Sequence, residues 1–276
     1  RDDAALADML IAAGADVKKA NREGFTPLVL ASINGSSAMI QKLLKAGAGA
    51  NDPDNNGDTP LMFASRNGNV DAIKVLLDAG ANVNAKEKVR GTTALMWATD
   101  QSHPAAMKLL IEKGADVKTV SNPDAKGGTA YLAPTVANRL QSTQGAGGLG
   151  QAAGGRGGAA GGRGGNARPA AAGQDEDVVA AADAAAANAA FNRTVNTDGG
   201  GLPALVYAAR QDCAECAKLL LDAGADVNQT TRYGWSALLT ATQNKHYKLG
   251  SMLLDRGANP NIKNNGGWSP IYLATD

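Results

Sequence analysis

Residues 57–85 read GDTPLMFASRNGNVDAIKVLLDAGANVNA, and this stretch decides the fold. The Thr59 hydroxyl can accept from backbone N–H groups, and Pro60 stands in a first helical turn, where a missing donor costs nothing. Together they start one helix, helix A. Asn67-Gly68 marks a turn. Val70, Ile73, Leu76 and Leu77 then repeat with the spacing of an amphipathic helix, helix B. Gly80 stands just past its end, where a residue in the left-handed region closes a helix. The segment from Ala81 to Gly91 reads as a projecting, hairpin-like loop that leads to the next Thr.

Working outward, the same unit recurs. Gly14, Gly47, Gly80, Gly114, Gly224 and Gly257 are each followed by Ala, at steps of 33, 33, 34, 110 and 33 residues. An independent landmark agrees: Thr26, Thr59 and Thr93 are 33 and 34 apart, and Pro203, Ser236 and Ser269 are 33 apart. Two landmarks in phase define a repeat protein. One such unit cannot bury its own Leu pair, so a neighbour must supply the other wall and stability becomes a sum over interfaces.

Thr26-Pro27-Leu28, Thr59-Pro60-Leu61, Gly224-Ala225-Asp226-Val227-Asn228 and Gly257-Ala258-Asn259 make most of the chain resemble the ankyrin repeat. The arrangement is also similar to bacterial ankyrin proteins with a Gly/Ala/Arg-rich insertion between two repeat blocks. The resemblance implies an all-α solenoid of stacked helix-turn-helix units with projecting hairpin-like loops, interrupted here by a long low-complexity insertion. Some positions depart from the family pattern. Where the family often has His after Thr-Pro-Leu, this chain has Val29, Met62, Met96, Val206, Leu239 and Tyr272, so apolar packing is expected to replace a hydrogen-bond network between repeats. Pro203 stands where a capping Thr belongs, and Gly49-Ala50 replaces Asp-Val.

The expected organisation is a first block at 1–118, an insertion at 119–199 and a second block at 200–276, with the blocks held apart or free to flex. Within the insertion, residues 145–173 hold 13 Gly and 9 Ala among 29 residues, with Arg156, Arg163 and Arg168 as the only charges. That composition buries too little apolar surface to offset its ordering entropy, so a linker is expected. Helices are conceivable near 129–141 and 175–191. They would make either one degenerate repeat or part of an enlarged inter-repeat loop. The Arg-Gly-Gly pairs invite an RNA-binding reading, but no aromatic interleaves them between Tyr131 and Phe191. Because the chain opens in a helix B and closes after a helix A, it is expected to be part of a longer protein, and a leader would lie upstream.

Lys plus Arg number 27 and Asp plus Glu 26, so no overall field attracts nucleic acid or an anionic membrane. No run of about 18 apolar residues exists. No nucleophile motif, catalytic carboxylate pair or phosphate loop stands out in the repeat frame, and no enzyme, cofactor or metal is expected. His103, Cys213 and His246 each precede their helix-ending glycine by 11 residues. The two histidines are therefore expected to make local hydrogen bonds at the turn. Cys213 and Cys216 open a helix B as Cys-Ala-Glu-Cys. They read as buried structural cysteines, Cys216 in a slot filled by Ile40, Ile73 and Met107 elsewhere, or as a reversible disulfide with a redox-sensing role. Two thiols are too few for zinc.

The resemblance also implies an unidentified protein partner, met by loop tips and by the ends of helix A. The matching residues are Arg22, Glu23, Phe25, Ile33 and Asn34, then Asn55, Asn56, Asp58, Arg66 and Asn67, then Val89, Arg90, Thr92, Asp100 and Gln101. After the insertion come Arg210, Gln211, Arg232, Tyr233, Trp235, Gln243, Asn244 and Trp268. Arg232, Tyr233, Trp235 and Trp268 form the expected hot spot, since Tyr, Trp and Arg dominate interface energies. The competing reading packs both tryptophans across the bases of their loops. Phe63, Trp97 and Tyr207 read as core.

Overall fold

The computed structural model describes residues 3–122 and 200–275, all within one compact unit. Twelve helices form among them: α1 (Ala4–Ala12), α2 (Pro27–Asn34), α3 (Ser37–Lys45), α4 (Pro60–Arg66), α5 (Val70–Asp78), α6 (Ala94–Asp100), α7 (Pro104–Glu112), α8 (Ala204–Arg210), α9 (Ala214–Asp222), α10 (Ala237–Gln243), α11 (Tyr247–Asp255) and α12 (Pro270–Thr275). From α2 to α11 they pair as helix A and helix B of five repeats. α1 is a lone helix B and α12 a lone helix A. Leu6, Met9 and Leu10 on α1 and Ile271 and Tyr272 on α12 are at least half exposed.

Each helix starts and stops as its residues dictate. Thr26, Thr59, Thr93 and Ser236 accept from the backbone N–H three residues on. Pro203 offers no such bond. The glycines that end helix B have φ between 83° and 96°. The turn between the two helices also needs a left-handed residue. Gly35 and Gly68 supply it early in the chain, whereas Ser102, Asp212 and Lys245 adopt it at φ 57°, 55° and 64°.

Helix A packs on the next helix A and helix B on the next helix B. Val29, Met62, Met96, Val206 and Leu239 are buried, as apolar replacement of the family's His requires. On helix B one buried column is Ile40, Ile73, Met107, Ala217 and Gly250, and in the last two repeats its smaller side chains stand beside the larger Cys216 and Leu249 of the neighbouring column, where earlier repeats have Ala72 and Ala106. Counting back from the closing glycine places Cys216 one position earlier than expected, in the column of Met39, Ala72, Ala106 and Leu249. Cys216 is fully buried there and is joined to half-buried Cys213 by a disulfide.

The two histidines reach further than a local turn. A ring nitrogen of His103 lies 2.9 Å from the Arg66 carbonyl, and one of His246 lies 3.0 Å from that of Ala209. Asn69 in the same column donates to the Gly35 carbonyl at 2.6 Å. These side chains occupy carbonyls that the end of the preceding helix A leaves without helical partners. Cys213 holds that position in the fourth repeat, where its sulfur accepts from the Cys216 N–H at 3.2 Å instead.

The blocks on either side of the insertion are not held apart: α6 packs on α8, and α7 on α9. Among the described residues the third and fourth repeats therefore stack directly on one another. Residues 129–141, 145–173 and 175–191 lie outside the described residues. The described residues on either side of 123–199 meet. Ser121 donates its N–H to Leu202 O at 3.1 Å, Leu202 donates to the Ser121 hydroxyl at 2.8 Å, and Gly201 donates to Asn122 O at 3.2 Å. Val120 and Pro203 form an antiparallel bridge. These contacts fix the approach to α8, whose capping Thr is missing.

Candidate partner-binding site

The loop tips are built by one device. In each described tip, a side-chain oxygen accepts the N–H groups that fold the turn. Asn21 takes Glu23 and Phe25, Asp54 takes Asn56 and Asp58, Thr231 takes Tyr233 and Trp235, and Asn264 takes Gly266 and Trp268. The third repeat is one residue longer, and the longer Glu87 spans the difference by accepting from Val89, Arg90 and Thr92. The column is not evident in the sequence because four residue types share it. Its signal is an oxygen-bearing side chain five residues before the capping Thr or Ser, or six in the long repeat. Each tip also leans on the tip before it: Asn55 donates its amide to Arg22 O at 3.0 Å, Lys88 its N–H to Asn56 O at 2.9 Å, and Asn265 its N–H to Tyr233 O at 2.9 Å.

Arg22, Glu23, Asn55, Asn56, Val89, Arg90 and Arg232 are exposed at the tips, with Tyr233 half-buried. Two expected contact residues are not available. Thr92 is buried, donates to Glu87 and accepts the Trp97 indole N–H at 2.8 Å. Trp235 is 8% exposed, packed with Leu239 and Leu273 under Tyr233, Ile262 and Trp268, because α12 closes over the apolar ring. Trp235 thus forms the floor beneath the half-buried Tyr233 and Trp268, as the reading that packs it across its loop base requires. Trp268 also leans on Tyr272, ring centroids 5.7 Å apart.

The ends of helix A bring Ile33, Arg66, Asp100, Arg210 and Gln243 into one column, with Asn34, Asn67, Gln101, Gln211 and Asn244 beside it. Asn67 is partly spent on structure, its amide donating to Ile33 O and, at 3.3 Å, to Ser32 O. Gln243 Oε1 and Asn244 Nδ2 are buried, with no partner among the described residues. Asp100 takes Arg210 in an ion pair, and Gln211 donates to the same oxygen at 3.1 Å.

Behind this column runs an aromatic series. Phe25 meets Phe63 edge-on at 6.1 Å, and Phe63 meets Trp97 at 5.6 Å. Arg66 lies 5.5 Å above the Trp97 ring and Arg210 lies 5.0 Å above Tyr207. Phe63 and Tyr207 are buried, as expected for core, while Trp97 keeps part of its face open. Guanidinium–ring pairs of this kind contribute about 0.5–2 kcal/mol and hold the arginines in place.

The electrostatics follow from burial. Asp58 is pushed up to about 7, first by burial and then by the neighbouring charges of Asp54 and Glu87, against the pull of Arg90 and Arg66. Burial also raises Asp54, although three backbone N–H groups oppose the shift. The Arg66 guanidinium is lowered by burial and by Arg90, against Asp100 and Asp58. Tyr207 is pushed up to about 12, mainly by burial. Among the described residues no group of three or more His, Cys, Asp or Glu is placed to hold a metal, and no helix is long and apolar enough to cross a membrane.

The family model described as ankyrin repeats (3 copies) matches residues 1–87 and 170–275, and the single ankyrin repeat model matches 90–122. A search of the curated proteins finds no match. Among solved structures, the ankyrin repeat domain of Bcl-3, described as a unique member of the IkappaB protein family, superposes with a TM-score of 0.61 at 20% identity, over 98% of this chain and 86% of that one. At that identity the likeness speaks to fold alone. Ankyrin repeats mediate protein–protein interaction and are in general non-enzymatic scaffolds. Family models over residues 1–87, 90–122 and 170–275 and five helix pairs stacked in register give one conclusion: the chain belongs to the ankyrin repeat family.

Proposed function

We infer that this chain is a non-enzymatic scaffold that receives a partner protein on its loop tips and helix-A ends. The observation that carries the reading is the row of Arg66, Asp100 and Arg210 laid over Trp97 and Tyr207, beside exposed tips at Arg22, Val89, Arg90 and Arg232. Arginine and aromatic side chains held in fixed rotamers lose little entropy on binding, and they are the residue types in which interface energy concentrates. The helix-B side offers mostly Lys, Glu and Asp around Lys74 and Lys108, with no aromatic row. A photo-crosslinking residue placed at Val89 should capture a discrete partner from the source cells, and the same residue at Lys74 should not. Equal capture at both sites, or capture at Lys74 alone, would reject the reading.

A second reading, a redox-responsive scaffold, rests on the Cys213–Cys216 disulfide. Thiol titration before and after mild reduction should then differ by two groups. No difference would remove this reading.

A further inference from the structure

Cys213 and Cys216 are joined within the first turn of α9, their Cα atoms 5.2 Å apart. The bond ties no two elements together, and a loop this short constrains the unfolded chain little. The backbone there is held without it: Cys213 donates its N–H to Ala208 O at 3.1 Å and accepts from the Ala217 N–H at 3.0 Å. In the same column Asn69, His103 and His246 reach back to carbonyls of the preceding repeat. The fourth repeat thus gives up a stitch between repeats for a bond inside one turn. Reactivity accounts for that choice better than stability does.

The two sulfurs differ in access. Cys213 is half-buried at the turn, whereas Cys216 is fully buried in the core on the helix that packs against α7. Thiol–disulfide exchange begins with a thiolate attacking one sulfur, and access selects which. An entering thiolate therefore meets Cys213.

We propose that Cys213 is a thiol-exchange site attacked by a small dithiol, with Cys216 as the buried sulfur that leaves and, on reoxidation, resolves the mixed disulfide. The inference rests on the redox-responsive reading and assigns a role to each cysteine. In reduction, one thiolate of the dithiol attacks Cys213 Sγ. The bond between the two Sγ atoms breaks, and Cys216 departs with the electron pair and takes up a proton. The second thiol of the reagent gives up its proton and attacks the reagent's own bound sulfur. Cys213 then leaves as a thiol and the reagent as a cyclic disulfide. The chain gains two electrons and two protons, and the dithiol loses them. In oxidation, Cys213 attacks an external disulfide and releases one thiol, and Cys216 then attacks Cys213 Sγ and releases the other.

The repeats supply two substitutions that the fold already accommodates. Ser36 stands where Cys213 does and caps α3, accepting from the Met39 N–H at 3.4 Å, so Cys213→Ser keeps a cap. Ala72 and Ala106 stand where Cys216 does, so Cys216→Ala fits.

The test reduces the full chain and each variant with dithiothreitol, removes the reagent, and adds the aromatic disulfide dithiobis(nitrobenzoate) under native conditions. Released thiolate is followed by absorbance and retained adduct by intact mass. The natural chain should release two thiolates and retain no adduct. Cys216→Ala should release one and retain one adduct. Cys213→Ser should react about a hundredfold or more slowly than Cys216→Ala, because a buried thiol is reached only when the structure opens. Thermal unfolding shows whether each variant is folded, and the measurement on the natural chain depends on neither. Adduct retained on the natural chain, or comparable rates in the two folded variants, would overturn the proposal. If either occurred while thiol titration before and after reduction still differed by two groups, the redox-responsive reading would stand and only the assignment of roles would fall. No difference in titration would remove both.

Discussion

The joint between the second and third repeats and the joint between the third and fourth do the same work with different parts. The earlier joint uses the repeat's own side chains. Asn84 donates to Gly114 O at 3.0 Å and accepts from Asp116 N–H at 2.8 Å, while His103 reaches the Arg66 carbonyl. Asn51 and Asn228 make the same pair of bonds at the first and last joints. At the joint that spans the insertion, Lys118 replaces that Asn and Cys213 replaces that His. The contact is rebuilt from the Ser121–Leu202 pair, the Asp100–Arg210 ion pair and Gln229 donating to Lys118 O at 3.3 Å. Stacking is thus set by the apolar faces, and the polar stitches can be exchanged so long as the carbonyls and N–H groups at the seam find partners.

The strongest way to break this comparison is in the core. Leu76 on α5 and Leu110 on α7 are both fully buried, and Leu→Ala at either should cost about 3 kcal/mol. In urea both variants should unfold in one transition at a lower midpoint. Two phases for Leu110→Ala alone would show that the spanning joint is the weaker one.

The next effect is electrostatic and belongs to the earlier joint. An acid whose folded pKa lies near 7, well above the unfolded 3.8, binds more protons folded than unfolded between those values. Stability therefore falls as pH rises from about 4 to 7, and the penalty is complete above 7. Asp58→Asn should gain roughly 1–2 kcal/mol at pH 8 and close to none at pH 4, the figure being set well below the full shift for the partial exposure of the group. Chemical denaturation of both proteins across pH reads this directly. A gain independent of pH would contradict it.

In the last repeat a buried helix-B position is held by Gly250. A Cβ added there meets only Leu238 Cδ1, at 3.8 Å, so Gly250→Ala fits. It should raise stability by about 1 kcal/mol through helix propensity. A lower melting temperature would mean the site is tighter than its contacts indicate. The smallest effects separate the two sides of the stack. Asp100→Asn, which strips Arg210 and Gln211 of a partner at the spanning joint, should cost up to about 1 kcal/mol, and Asp78→Asn on the helix-B side no more than about 0.3. Equal costs would show that the helix-A charges are no better shielded than the helix-B ones.

Much of this was legible in the chain itself. The 33-residue period and the closing glycines report local requirements of the backbone, so they survive in every unit, and a capping Thr or Ser is lost only at Pro203 among the five helix pairs. Trp235 was harder to read, because its burial depends on α12 folding over it and not on its own neighbours in sequence. The Asp100–Arg210 pair joins residues 110 apart, and no periodicity links them once the insertion has broken the count. The column of Asn21, Asp54, Glu87, Thr231 and Asn264 hid for a different reason. What the turn selects there is an oxygen at the right reach, not a residue type.

Asn122 accepts from the Gly201 N–H across the base of a loop tip, so the described chain leaves and re-enters the stack at a single point. The contacts of α6 with α8 and of α7 with α9 are made by the described repeats themselves, so a change in the length of residues 123–199 is expected to leave their register in place. Another domain or a binding segment spliced at this point would be carried on the side where the loop tips gather, next to whatever they hold.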